Sequence, residues 1–287
     1  MKLAIMKIQL CIAITALTLF GSCKKYQWCP PAKKPIDLKA CNILRIEDPN
    51  SVWEGATFYY NSAGKPVKIL LDVYNSTGTP NMFFLYDSYG RLTAWFHGYK
   101  KDYSEFKPSD GFEGYHKYTW VNDCLVIDSS FYLGHLTETL NPTVDGELLT
   151  VSRLELDKQH RIRKALVHDR LYDWNNHRWY PYDGNRRTLN YQYDVNGNMS
   201  PYVDEFSGPL SERVYTEKRS LFSVNEIWMF IKRDYSQNAV PGAATLNCFD
   251  LPQTFSERGD YGFFFHPIYP LQTISTRIYY ACDCEGK

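Results

Sequence analysis

From Cys41 onward, apolar and polar positions alternate in short runs, and the runs come in pairs separated by a polar break. ATFYYNSAGKPVKIL at 56–70, MFFLYDSYGRLTAWF at 82–96, SRLELDKQHRIRKAL at 152–166 and TLNYQYDVNGNMSPY at 188–202 share one layout. A strand-like run meets Asn or Asp, then two tolerant positions, then Gly or a substitute, then a second run. Period-two alternation predicts half-buried strands. It sets Phe84 and Tyr86 on one face and Leu85 on the other.

The break has a physical reading. Asn61, Asp87, Asp157 and Asp194 stand first in the four breaks, and Gly64, Gly90, His160 and Gly197 stand fourth. An Asn or Asp side chain accepts from backbone N–H groups just downstream and nucleates a turn. A fourth residue at positive φ closes the hairpin, and Gly takes that position without steric cost. His160 there implies strain or a different turn. The residues Asn61, Gly64, Asp87, Gly90, Asp157, Asp194 and Gly197 are therefore read as turn-formers rather than catalysts. Residues 117–132 look like a degenerate copy with a shorter turn at Asn122-Asp123. Long insertions at 100–115 and 169–186 make the array loose rather than a strict solenoid.

One segment changes period. In SVNEIWMFIKRDYSQN at 223–238, Val224, Ile227, Trp228, Ile231 and Tyr235 recur at helical spacing. Ser223 and Glu226 form a capping-box signature. The fold class expected is mainly β: a meandering antiparallel sheet of repeated β-hairpins with one packed amphipathic helix at 223–236. Tyr, Phe and Trp at 16% of the chain agree with this.

The N-terminus adds location. Lys2 and Lys7 precede an apolar run that ends in Gly21-Ser22-Cys23, which reads as a signal peptide over 1–22. The small residues before Cys23 resemble the lipobox of bacterial lipoproteins, with Phe20 where Leu is usual. That resemblance implies lipidation at Cys23 and a membrane anchor. Residues 23–40, Pro- and Lys-rich, form a tether, and 41–287 form a single β-hairpin domain. No later segment is long and apolar enough to span a bilayer. Loss of 1–22 removes two lysines and no acids, taking net charge from +0 to −2. Nothing there favours nucleic acid. Cys29, Cys41, Cys124, Cys248, Cys282 and Cys284 are candidates for disulfides in an oxidising compartment. Six thiols allow fifteen complete pairings, and the sequence does not choose among them.

The form YDSYGRL at 86–92 resembles the YD repeat of RHS-type proteins. The wider layout is similar to uncharacterised YD-repeat-like lipoproteins of Bacteroidota: lipobox, early Cys strand, the hairpin at 58–66, and WMFIKRDYSQN at 228–238. The resemblance implies a β-rich exported domain and supplies no catalytic residues. The chain has no nucleophile elbow, no HExxH, no P-loop and no dinucleotide-binding glycine pattern. Glu138, Glu147, Glu155 and Glu205 offer no evident pair. No metal site or cofactor is expected. The aromatic-rich stretch at 168–185 makes Trp174, Trp179, Tyr180 and Tyr182 candidate ligand contacts, since exposed rings stack on sugars or fill partner pockets. The expectation is an exported, non-enzymatic binding or scaffold lipoprotein, in the outer membrane facing the periplasm, with the cell surface as the alternative face. Its partner would be an envelope protein or glycan. The alternative is a carbohydrate-binding or carbohydrate-degrading envelope protein.

Overall fold

Five hairpin turns end the same way in space because a meander alternates its connections between two edges. The computed structural model describes residues 41–47, 54–73, 80–143, 147–173, 178–204, 208–209, 213–255 and 276–282. The strands are β1 (Ile43–Glu47), β2 (Gly55–Tyr60), β3 (Pro66–Leu71), β4 (Asn81–Tyr86), β5 (Leu92–Gly98), β6 (Gly111–Asn122) and β7 (Leu125–His135). They continue as β8 (Glu147–Leu156), β9 (Ile162–Asp173), β10 (Arg178–Tyr193), β11 (Met199–Asp204) and β12 (Gly208–Pro209). After one helix, α1 (Glu226–Lys232), come β13 (Ala243–Leu246), β14 (Pro252–Phe255) and β15 (Arg277–Tyr280). All fifteen form one antiparallel sheet in the order β12 to β1 and then β15, β14, β13. The C-terminal strand thus pairs with the first. Cys41 and Cys282 are disulfide-bonded beside that seam, across a separation of 241 residues. In the chain-entropy view a loop of that length contributes roughly 5 kcal/mol. Cys124 and Cys248 each take part in a disulfide as well; Cys29 and Cys284 lie outside the described residues.

The turns are built as one unit. At 61–65, 87–91, 157–161 and 194–198 the first N–H donates to the fifth carbonyl, and the fourth N–H donates to the first carbonyl. One side-chain oxygen of Asn61, Asp87, Asp157 or Asp194 accepts from the third and fifth N–H groups. The fourth residues have φ of 74° (Gly64), 74° (Gly90), 60° (His160) and 80° (Gly197). His160 therefore keeps the same turn and carries the left-handed backbone itself. Two further copies escape the sequence pattern. Thr137–Asn141 and Asn247–Leu251 make the same pair of backbone bonds, with Leu140 and Asp250 at φ 56° and 60°. The shorter turn is centred on Asp123-Cys124 rather than Asn122-Asp123. Asn122 still pairs with Leu125, and its side chain accepts from Cys124 N.

The aromatic residue before the turn has its own task. The hydroxyls of Tyr60, Tyr86 and Tyr193 donate to the carbonyls of Ile43, Pro66 and Ile162 at 2.8, 2.7 and 3.1 Å. Trp120 Nε1 donates to Leu92 O at 2.9 Å. Each partner begins, or lies at the start of, the neighbouring hairpin's strand, so the ring stitches one hairpin to the one before it. Burial raises the hydroxyl pKa of all three tyrosines, which keeps them protonated donors.

The sheet is covered on both faces. Phe83, Ala94, Phe96, Phe112, Tyr115 and Leu136 form a small cluster under the insertion after β5, against which Leu85, Tyr103 and Phe106 pack. Phe84 and Tyr86 join the larger cluster on the opposite face, as strand alternation requires. That larger face is covered by residues 213–240, the plug. The ribbon of 216–220 with 237–239 closes it at its base. Between these, the chain crosses the strands in order. Asn225 Nδ2 donates to Asn42 Oδ1 and to Gly64 O, both at 2.9 Å. Trp228, 2% exposed, sets its ring edge-on to Phe58 and Phe84 at 5.8 and 5.4 Å. Phe230 meets Tyr118 and Trp120. Arg233 reaches Asp128 of β7, and Ser236 Oγ accepts from Met199 N of β11 at 3.0 Å.

The helix is shorter than the 223–236 expected. Asn225, not Ser223, is its N-cap, accepting from Ile227 N at 3.0 Å. Ser223 instead donates to Ser220 O within a 3₁₀ turn, Leu221–Val224. Arg233 at φ 55° ends the helix, so Tyr235 is buried but no longer helical. The apolar spacing was real, yet it continues through residues with three different backbone conformations. Removing the Trp228 ring with Trp228→Ala is expected to cost about 3–5 kcal/mol in a urea melt. An unchanged melt would show that the plug is not part of the core.

Candidate functional site

The turns at 61–65, 87–91, 157–161 and 194–198 and the Asp123-Cys124 turn join β2–β3, β4–β5, β8–β9, β10–β11 and β6–β7, so the meander sets them along one edge. The plug passes beneath this row. Between them lies a half-open cleft of about 800 Å³. Leu92, Trp120, Ile227, Met229 and Phe230 supply its apolar surface, and Lys65, Arg91, Arg161, Arg219, Glu217 and Glu226 its charges.

The two arginines at turn position five are held rather than free. Arg91 Nε donates to Asp87 Oδ2 at 2.8 Å, and Arg161 Nε to Asp157 Oδ2 at 2.9 Å. Each acid thus uses one oxygen to close its turn and the other to hold an arginine. Each guanidinium then covers a ring: Arg91 lies 5.3 Å from the Trp120 centroid and Arg161 4.0 Å from that of Tyr193. Burial opposes ionisation of Asp87, but the hydrogen bonds from Arg91 outweigh it and keep the carboxyl below the usual range. Lys65 donates to Gly90 O and lies 4.0 Å from Glu226, linking two turns to the helix. His160 Nε2 is buried with no hydrogen-bond partner among the described residues.

A buried ion pair anchors the plug behind the cleft. Asp128, 3% exposed, accepts from Arg233 Nη2 at 2.9 Å and lies 2.9 Å from His116 Nδ1. The His116 ring stacks on Trp95 at 4.4 Å. Burial alone would raise the Asp128 pKa; His116 and Arg233 reverse this and hold it below the ordinary carboxylate value.

The turn-formers named from sequence sit in the turns that frame the cleft. Trp174 lies outside the described residues, and of Trp179, Tyr180 and Tyr182 only the backbone is described, in β10. The described residues of the aromatic-rich stretch at 168–185 lie in strands, since Trp179 pairs with Tyr172 and Tyr180 with Leu171 across the β9–β10 ladder. Cys23 lies outside the described residues. Sequence reading missed Lys65, Arg91, Arg161 and Trp120. The available signal was the basic residue following the turn's fourth position in three copies. Among the described residues no cluster of three or more His, Cys, Asp or Glu side chains is set to hold a metal, and no helix is long and apolar enough to cross a membrane.

No family model matches the chain, and no curated protein matches it. Among solved structures, one of TcdB2-TccC3 is similar at TM-score 0.32 and 11% identity, covering 56% of this chain and 6% of that one. TcdB2-TccC3 without its hypervariable C-terminal region is similar at TM-score 0.33 and 11% identity, covering 58% and 7%. The chain thus spans less than a tenth of those structures' length.

The depressed Asp128 pKa fixes a sign. Its stabilisation is present above the unfolded carboxyl pKa, near 4, and is lost as pH falls through the lower folded value. Asp128→Asn is expected to lower Tm clearly near neutral pH, because Arg233 is left buried without its anion. The gap from wild type should narrow as pH drops below about 4. A gap independent of pH would show that the ion pair is not what the substitution removes.

Proposed function

We propose that this chain is an exported, lipid-anchored binding module without catalytic activity, which holds an amphipathic segment of another envelope protein in the cleft between the turn row and the plug. The observation that carries this reading is the cleft's chemistry: an apolar surface bordered by charges of both signs. Such a surface suits a segment with apolar side chains on one side and charged ones at its margins. Arg91 and Arg161 are already neutralised by their own turn acids, which leaves little for a polyanion. The rings beneath them are rigid and amphipathic, the type that dominates contact energy when desolvated. Anchoring through Cys23, on the periplasmic side of the outer membrane, belongs to the same proposal and is supported by the lipobox-like Gly21-Ser22-Cys23. The YD-type layout of the hairpins supports a scaffold role for the turns.

A photo-crosslinking residue placed at Tyr89 or Gln237, both at the cleft, is expected to capture the same envelope protein in cells. The same residue at Tyr279, exposed away from it on β15, should not. Equal capture from all three positions would contradict the cleft as the contact surface. Saturable glycan binding that Met229→Glu abolishes would replace the protein ligand by a carbohydrate.

A further inference from the structure

On the plug face, the strands change character from one row to the next. The register aligns Trp120, Val126, Leu154, Ala165 and Leu189 in an apolar row. Two residues along the strands come Tyr118, Asp128, Ser152, Val167 and Arg187, and after those His116, Ser130, Thr150 and Asp169. Over these two polar rows lies a second cavity of about 210 Å³, which Arg233 of the plug also borders. Among the described residues it shares none of its lining with the cleft.

Its charges are settled internally. Asp128 is paired with His116 and Arg233. Asp169 accepts from Thr150 Oγ1 at 3.0 Å and from Arg187 Nη2 at 2.7 Å. One group is left over. Ser152 is 1% exposed, borders the cavity, and its Oγ has no hydrogen-bond partner among the described residues. A buried hydroxyl left unsatisfied costs about 1–3 kcal/mol, and native structures rarely keep one without a use.

We infer that this cavity is a binding site for a small neutral polyol, a single sugar ring or its equivalent. Carboxylates and guanidiniums in self-neutralising pairs offer acceptors and donors without net charge. Vicinal hydroxyls use both at once. A phosphate would face Asp128 and Asp169, and a metal ion would face Arg187 and Arg233. Val167 and Leu189 give the C–H face of a ring an apolar surface. The volume falls below the ~300 Å³ where drug-sized pockets begin, which suits one ring and not a chain.

Ser152→Ala separates a ligand group from a structural one. The purified protein is titrated with pentoses, hexoses, N-acetylhexosamines, inositol, inorganic phosphate and calcium, read by ligand-observed NMR and thermal melts. At least one polyol is expected to bind saturably and raise Tm. In Ser152→Ala that affinity should fall on the order of ten-fold, the equivalent of one hydrogen bond, while the ligand-free Tm is unchanged or higher. Arg187→Lys, at a partly exposed side chain, should weaken the same ligand; Met229→Glu in the cleft should not. The inference is overturned if no polyol binds, if phosphate or calcium binds instead, or if Ser152→Ala binds as wild type. It is also overturned if Ser152→Ala lowers the ligand-free Tm, which would make the hydroxyl's partner a structural water.

Discussion

Burial of the plug against one face of the sheet is the constraint from which the rest follows. An antiparallel meander must cover any apolar face it creates, and fifteen strands create a large one. Here a single segment does most of the covering. Trp228 fills the space between Phe58 and Phe84, Phe230 lies on Tyr118 and Trp120, and Tyr235 meets Tyr193. The two ends of this contact are fixed by polar groups, Asn225 at Asn42 and Gly64, and Ser236 at Met199. Arg233 adds a charge that has little reason to be buried except to meet Asp128. The cleft and the polar cavity lie on opposite sides of this segment's path, so both depend on where it docks.

The turns solve a different problem, that of register. In the 61–65, 87–91 and 194–198 hairpins one Asn or Asp closes the backbone, and the Tyr before it bonds to the neighbouring strand; at 157–161 Leu156 stands in that place and Asp157 closes the turn alone. The Tyr-Asp pair is thus a joint between repeats, which accounts for its recurrence. Asp87 and Asp157 carry a second duty in holding Arg91 and Arg161 over aromatic rings. That is how scaffold chemistry comes to shape a surface.

Much of this was legible in the chain. Asn61, Asp87, Asp157 and Asp194 announce their turns because side-chain capping is local, and Phe84 and Leu85 announce their faces because alternation is local. Thr137 and Asn247 did not, because Leu140 and Asp250 occupy the position where Gly signals the turn. The helix was overextended at both ends. Hydrophobic spacing reports burial, and Val224 and Tyr235 are buried from a 3₁₀ turn and from backbone beyond the helix end. The cleft and the polar cavity could not be read, since each gathers residues from strands far apart in sequence. Asp128 and Arg233 are separated by 105 positions, and nothing local to either names the other.

Hydrogen exchange of the native protein tests the central claim most directly. If the plug is part of the core, amides of Trp228, Phe230 and Ile231 will open in the same cooperative step as those of β4 to β9, with matching free energies and matching sensitivity to denaturant. Exchange of the plug through low-energy local fluctuations, with the strands still protected, would contradict it. The sheet would then be stable without the segment here held to cover it.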